Sequence, residues 1–507
     1  MSQDTDSGTG SPAGRADEPR TEPDLSSITL DREWKLAWLL VAAVGVAYLV
    51  TQLAFFPFGR PSNWDEAVYL SQVTPGMDAL FMDAWRSRGI VLLIAPVRLL
   101  GGTLPDVRLF LTITSATAVT LAFGLWISLI GLAAPVAAFL FSFMWFALIS
   151  GSAIMPNFWA AVAGVAVAGL VARRLEGGSL RAAVLAATLL CAMALLRPTE
   201  AIVLVGAIGL YLAAARRSSW RLAVGLGVGV LIGWLPWILE MSIRFGGVSG
   251  AFRRANSAGH LAVARIGENV LTYLAFTYGR RTFVPNTIPI EGIVWWSLLV
   301  ILAGVALLPA VKRPARSVVV LSIIATAFLA FEYLVLVPFV AWRFLLPAYA
   351  FAAVTAAIGL VWLLRRGVGG RVVGAVLLVL MVPWALWQLD MGRPVLRAQV
   401  RLGERYQSAG LLLRDLAGDR PCSFVSLGGY PQVQIASGCS GAKLVSKEPT
   451  RAQLAASASG DEVFVILPHV AGSRSSLAAL DPTVHRYRRR MWFIYQLSQL
   501  RTPEPPG

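Results

Sequence analysis

The chain has 507 residues and a mean hydropathy of +0.66; 56% of its residues are hydrophobic and only 14% are charged. Soluble domains carry roughly 45–50% apolar and about 25% charged residues, so the composition excludes a soluble globular protein and indicates a polytopic membrane protein. The net charge of +16 and pI near 10.4 would suit nucleic acid, but the Arg pairs Arg173-Arg174, Arg216-Arg217 and Arg365-Arg366 each follow an apolar run. Orientation signals belong at such places, and the basicity is read as topology rather than as a nucleic-acid surface.

Residues 1–30 are rich in Ser, Gly, Asp, Glu and Pro and nearly free of large apolar residues, the composition of a disordered tail, here expected on the cytoplasmic side. No cleavable signal peptide is evident, so the first apolar helix is expected to be a retained anchor. A spanning helix needs about 20 mostly apolar residues. Eleven candidates follow in order: 36–57, 107–127, 133–150, 157–172, 180–196, 200–214, 221–239, 292–310, 317–338, 344–364 and 371–389. The run IVLLIAPVRLL, residues 90–100, is short for a span and reads as a re-entrant or interfacial helix. With the N terminus inside, five of the six inner segments (DREWK, ARRLEGGSLR, ARRSSWR, VKRPARS and RRGVGGR, against SLIGLAAP) carry Arg or Lys, as the positive-inside rule requires.

The same count places SNWDEAVYL, SGSAIMPN, LRPTE, residues 241–291 and FVAWRFLLP outside. The first of these, in the outer loop 58–90, carries the adjacent acids Asp65 and Glu66. Ser62 and Asp65 have the spacing of a helix-capping box, which would use Asp65 and leave Glu66 without a role. After it, PGMDALFMDAWRSRG sets Met77, Leu80, Phe81, Ala84 and Trp85 beside Asp78, Asp83, Arg86 and Arg88, the pattern of a helix lying in the interface plane. Later outer ends carry Arg197 with Glu200, and Arg343. The long outer segment contains Arg253, Arg254, His260, Arg265, Glu268, Tyr278, Arg280 and Arg281. Charge at the edge of a membrane is costly and usually functional.

Residues 393–507 read differently. CSFVSL, AKLVS, DEVFVILP and MWFIYQLS read as strands and PQVQIASG and EPTRAQLAASAS as helices, an alternation that predicts a small α/β domain. SLGGYPQ does not supply a dinucleotide fingerprint, so a binding or lid role and a structural one are both open for this domain. Cys422 and Cys439 lie within it and could pair if the domain is extracytoplasmic; Cys191 lies inside an apolar run and reads as a packing residue. Domains are therefore expected at 1–30, 31–392 and 393–507.

Carboxylates and arginines gathered around a cleft bordered by lipid suit a lipid phosphate. Guanidinium forks bind phosphate oxygens, apolar spans accept a prenyl tail, and a carboxylate can take the proton of an attacking hydroxyl. At this point the chain resembles the GT-C superfamily of integral-membrane glycosyltransferases, whose members include protein mannosyltransferases, arabinosyltransferases and the lipid A aminoarabinose transferase. The likeness rests on NWDEAVYLSQV, WRSRGIVLLIAPVRLLGG, ALLRPTEAIVLV and WRFLLPAYAFAAV within residues 35–390. It implies an all-α domain of about eleven transmembrane helices with a small C-terminal α/β domain in a cell membrane, and the many Ala, Gly, Val and Arg against few Lys point to a high-GC bacterium. It further implies transfer of a sugar from a polyprenyl-phosphate donor to a hydroxyl of a glycan, lipid or protein at the extracytoplasmic face. Asp65 would be the catalytic base with Glu66 in support, and Arg197 and Arg343 would contact the lipid phosphate; Arg86, Arg88, Glu200 and Arg280 complete the candidate substrate-binding set. Some branches of the family hold a divalent metal at the first-loop acid. Here Asp65 and Asp83 are the candidate ligands, although FMDAW departs from the family's second acidic motif. The alternative from another class is a transporter or lipid flippase, which would place paired charges at mid-membrane in broken helices; a non-catalytic envelope scaffold is a third.

Overall fold

The computed structural model describes residues 25–84, 86–215, 219–255, 265–277, 289–308, 315–337, 340–426, 428–443, 462–468, 485–489 and 492–497. Each of the eleven predicted spans has its helix. Helix α1 covers Leu25–Phe55 and is followed by the short α2, Trp64–Ser71, and α3, Gly89–Leu99. Then come α4 (Leu104–Gly124), the single turn α5 (Ile127–Ile130), α6 (Ala133–Ser142) and α7 (Trp145–Gly151). The bundle continues with α8 (Pro156–Leu175), α9 (Leu180–Leu196), α10 (Pro198–Ala214), α11 (Trp220–Phe245), α12 (Val248–Ala255) and α13 (Ile266–Thr277). It closes with α14 (Ile290–Ala306), α15 (Ala315–Phe331), α16 (Leu346–Leu364) and α17 (Val368–Ala417). Seven helices among the described residues are long and apolar enough to cross a membrane. Leu180–Leu196, Pro198–Ala214 and Ile290–Ala306 are shorter apolar helices of 17 residues, and Gly89–Leu99 has only 11.

One predicted span is not straight. Within 133–150 the chain turns by 78° between α6 and α7, where Met144 is extended. A bent helix strands a backbone donor, and in an apolar medium that donor needs a partner; the Trp145 N–H finds it in the Gln388 side-chain oxygen of α17 at 3.1 Å. Proline opens three other helices at their first turn: Pro156 opens α8, Pro198 opens α10 directly after α9 has ended, and Pro347 lies in the first turn of α16. Among the described residues the predicted interfacial helix over 75–89 does not form. Gly76 takes a φ of 71°, and backbone groups of the segment bond to surrounding side chains. Gln72 donates to the Leu80 carbonyl at 2.7 Å, Leu80 N–H donates to Ser71 Oγ at 3.0 Å, and Trp237 donates to the Ala84 carbonyl at 3.1 Å.

Helices α8 and α16 run through the middle of the bundle, whereas α1, α11 and α17 leave large apolar residues uncovered: Leu39, Val46 and Val50; Leu231, Ile232 and Leu235; Val372, Val379 and Leu386. Apolar side chains on the outside are what lipid requires. Within the bundle, close helix contact uses small residues: a Cβ at Gly229 would lie 2.4 Å from the Ala187 carbonyl oxygen, and one at Gly233 would lie 2.4 Å from that of Cys191.

Helix α17 has 50 residues and continues without a break through the expected boundary at 392/393. Its C-terminal end carries a five-stranded sheet of order β2-β1-β3-β5-β4, formed by Cys422–Ser426 (β1), Ser440–Lys443 (β2), Glu462–Pro468 (β3), His485–Arg489 (β4) and Trp492–Leu497 (β5). Strands β2, β1 and β3 are parallel, and β5 and β4 are antiparallel additions. Helix α18, Tyr430–Ser437, crosses between β1 and β2. Ala409, Leu413 and Ala417 of α17 form a core with Phe424, Val433, Phe464 and Ile494, and Cys422 is bonded to Cys439. The strand β4 was not expected, because HRYRR is too basic to read as one; charge of this kind is usual on an edge strand. The expected helix EPTRAQLAASAS lies outside the described residues. A Gly233→Leu variant should force α9 and α11 apart and lower stability by about 2 kcal/mol, read as a lower melting temperature in detergent; an unchanged melting temperature would contradict this contact.

Candidate active site

The acidic pair is built from the cap of α2 upward. Asn63, not Ser62, is the cap: its side-chain oxygen accepts the Glu66 N–H at 2.9 Å, and the Glu66 carboxylate accepts the Asn63 N–H at 2.9 Å. The expected box on Ser62 and Asp65 is thus displaced by one residue, and Glu66 closes it. Glu66 also accepts from Arg108 of α4 at 3.1 Å and from the Ile154 N–H at 3.1 Å. Arg108 in turn donates to the Phe58 and Pro61 carbonyls at 3.0 and 3.2 Å, and Arg60 donates to Ser152 Oγ at 3.1 Å. Glu66 is 2% exposed and Arg108 is fully buried. Burial works to raise the Glu66 carboxyl, but Arg108, Arg60 and the two backbone donors outweigh it and hold the group below its ordinary range.

Neighbouring helical residues point about 100° apart, so fixing Glu66 inward turns Asp65 to another face. There each oxygen of Asp65 meets a different guanidinium, Arg86 at 2.5 Å and Arg343 at 2.8 Å. Burial works against the charge on Arg86, yet Asp65 more than restores it and keeps this guanidinium above its ordinary value. Tyr69 lies one turn after Asp65 and is buried. Burial and then Asp65 push its phenol up, against Arg86, Arg197 and Arg343, so it stays protonated and remains a hydrogen-bond donor.

Arg197, in the break between α9 and α10, donates to Glu200 at 2.8 Å and to the Tyr333 hydroxyl, which itself donates to Glu200. Tyr333 belongs to a π-helical turn, Glu332–Leu336, that ends α15; such turns gather at functional sites. The Phe344 ring lies beside both arginines, 5.6 Å from Arg197 and 5.3 Å from Arg343. Arg343 also borders a small cleft of about 40 Å³ formed with the first outer loop, the α7–α8 connection and α17.

The remaining expected residues divide. Arg88 is held by Glu240 of α11 at 2.9 and 3.0 Å and by Gln72 at 3.1 Å, a clamp between the loop and α11 rather than part of the Asp65 group. Asp83 meets Arg254 at 3.5 Å. Arg280, with His260, Tyr278 and Arg281, lies outside the described residues. For a metal, Asp65 and Asp83 do not fit: each carboxylate faces guanidinium, and among the described residues no three His, Cys, Asp or Glu side chains come together. Sequence reasoning missed Arg108, Arg60, Tyr69, Tyr333, Glu332 and Glu240. A signal existed for Arg108 and Glu332, which are charges inside predicted spans and candidates on that ground alone.

No family model matches the chain, and no curated protein matches it. Solved structures do. ArnT from Cupriavidus metallidurans bound to undecaprenyl phosphate superposes with a TM-score of 0.60 over 92% of this chain and 99% of that chain, at 14% identity. The apo state of the same ArnT gives 0.63 over 92% and 98%, at 13% identity. The chain has the ArnT fold. The helices long and apolar enough to cross a membrane accord with the multi-pass architecture of that fold.

Glu66→Gln leaves Arg108 buried without a carboxylate, and breaking a buried pair in this way costs about 3–5 kcal/mol; the expected result is a large fall in melting temperature. Since the folded carboxyl titrates below its ordinary value of 4.5, its contribution is complete at any pH above that value and is lost as pH falls through the lower folded value. Melting of the parent minus melting of Glu66→Gln should therefore be flat from neutral pH down to about pH 5 and shrink below it.

Proposed function

We propose that this chain is a GT-C-type membrane glycosyltransferase that moves a sugar from a polyprenyl-phosphate-linked donor to an acceptor hydroxyl at the extracytoplasmic face. The observation that carries the reading is Asp65 held between Arg86 and Arg343 at one end of the helix bundle. A transporter would need paired charges facing each other at mid-depth in broken helices, and the Asp65 group instead gathers residues from the start of α2, the loop after it and the approach to α16.

The chemistry divides among these groups. Asp65 accepts the proton of the acceptor hydroxyl as its oxygen attacks the anomeric carbon. The bond from that carbon to the phosphate oxygen breaks, and the phosphate leaves with the electron pair; Arg86, Arg343 and the phenol of Tyr69 stabilise the charge that develops there. A carboxylate next to the sugar also favours an oxocarbenium-like transition state. Glu66 has no part in the bond changes, because its oxygens are bound by Asn63, Arg108 and Ile154; it positions Asp65.

A prenyl chain has a fitting place in an apolar groove of about 360 Å³ between α14, α16 and α17, lined by Trp295, Trp384, Trp387 and leucines. One turn of α17 beyond Trp384, Gln388 binds Trp145, and Trp145 packs 5.1 Å from Trp342, the neighbour of Arg343. The ArnT solved with undecaprenyl phosphate supports a lipid of this class. The orientation with the N terminus inside and the C-terminal domain outside follows from the arginine distribution.

Asp65→Asn in membranes supplied with a radiolabelled lipid-linked sugar should reduce transfer by about 10²–10⁴-fold at unchanged protein level, and retained transfer would remove Asp65 from the mechanism. Tyr69→Phe should lower transfer by about tenfold, the effect of one lost hydrogen bond to a charged group, with the melting temperature held.

A further inference from the structure

The base of the proposed reaction is not free in this structure. Both oxygens of Asp65 are occupied, one by Arg86 at 2.5 Å and the other by Arg343 at 2.8 Å. These are the guanidiniums placed to meet the donor phosphate, so one set of donors faces two claims. All three side chains are partly accessible, at 13% for Arg86, 24% for Asp65 and 22% for Arg343. The Nε of Arg343 is buried without a hydrogen-bond partner among the described residues, which leaves this cation with unused donor capacity.

We infer that Asp65 occupies the seat of the ligand phosphate between Arg86 and Arg343, so that binding the donor and releasing the base are one exchange. The inference rests on the reading of the chain as a polyprenyl-phosphate-dependent transferase and concerns the regulation of that same site. The matching of shape is direct. A carboxylate carries one negative charge over two oxygens, and a sugar–phosphate–prenyl diester likewise carries one charge over two non-bridging oxygens. A ligand oxygen that takes the Nη2 with which either guanidinium holds Asp65 displaces an oxygen of that carboxylate.

Charge accounts for why the exchange proceeds. Two arginines and one carboxylate leave a single positive charge, which the monoanionic diester neutralises on entry. During transfer the acceptor O–H proton passes to Asp65, the acceptor oxygen bonds the sugar carbon, and the phosphate departs with the bonding pair as a monoester dianion. Asp65 is then neutral, and the dianion faces the two guanidiniums alone. The site is thus electrically balanced with donor bound and again with product bound, and Asp65 regains its arginines only when the lipid phosphate leaves with the released proton gone to solvent.

The test measures binding of undecaprenyl phosphate to the full chain in nanodiscs, with undecaprenol as the uncharged comparison. Removing the competing carboxylate by Asp65→Asn should tighten undecaprenyl phosphate binding by about tenfold or more, the scale of one charge-assisted contact, while transfer is lost and undecaprenol binding does not change. Asp65→Ala should tighten binding in the same direction, which guards against a special effect of the amide. Asp390→Asn on the exposed surface of α17 should bind as the parent does; tightening there as well would assign the effect to bulk charge and overturn the exchange. Unchanged or weaker binding by both Asp65 variants, at parental melting temperature, overturns the exchange and leaves the transferase reading standing. If the parent binds undecaprenyl phosphate no better than undecaprenol, that reading falls with it.

Discussion

The buried pair of Glu66 and Arg108 is the interaction on which the candidate site depends. Two opposite charges with almost no contact with water need further hydrogen bonds beyond their own contact, and here the helix cap, the Ile154 N–H and the carbonyls of Phe58 and Pro61 supply them. Arg108 Nε alone of that guanidinium's nitrogens lacks a partner among the described residues. The pair joins the first outer loop to α4 and to the α7–α8 connection, and so fixes the rotation of α2 about its axis. That rotation decides what Asp65 can reach. A helix turned by one residue would send Asp65 into the protein and leave Arg86 and Arg343 without it.

Around this anchor the charges are sorted by helix ends. Arg197 lies where Pro198 interrupts two apolar helices, Arg343 precedes α16, and Arg86 comes from a loop whose backbone is held by Ser71, Gln72 and Trp237. Each is a point where helix geometry has already been given up, so a polar side chain there adds little further disruption. The bend between α6 and α7 belongs to the same pattern. It lowers α7 beside the first outer loop, and its stranded donor is met by Gln388 of α17.

Much of this was legible in the sequence. The spans could be read because lipid demands long apolar runs, and proline marked helix starts at Pro156, Pro198 and Pro347. The Asp-Glu motif marked the right loop, but the partition of roles within it was hidden. SNWDE offers two overlapping capping boxes, and only the tertiary partner Arg108 selects the one closed by Glu66. The segment 75–89 has the period of an interfacial helix and yet forms none, because side chains from α2 and α11 compete for its backbone. Arg88 and Glu240 stand 152 residues apart in the chain, and Asp65 and Arg343 stand 278 apart; the charges were visible, but only folding specifies which acid meets which base. The basic strand β4 is hidden in the sequence for a local reason, since its composition suits an edge rather than a core.

Helix α17 has a consequence of its own. At about 1.5 Å per residue its 50 residues make a rod of about 75 Å, more than twice the thickness of the hydrocarbon layer at about 30 Å. The sheet at its far end does not stand clear, because Tyr430 packs edge-on against Trp64 at 5.0 Å and Gln434 bonds the Asp78 carbonyl at 2.8 Å. Rod and sheet therefore act like a crane whose load rests on the rim of the cleft. A small tilt of the rod at the membrane would be magnified at its tip, and those two contacts are what tie the tip to the first outer loop.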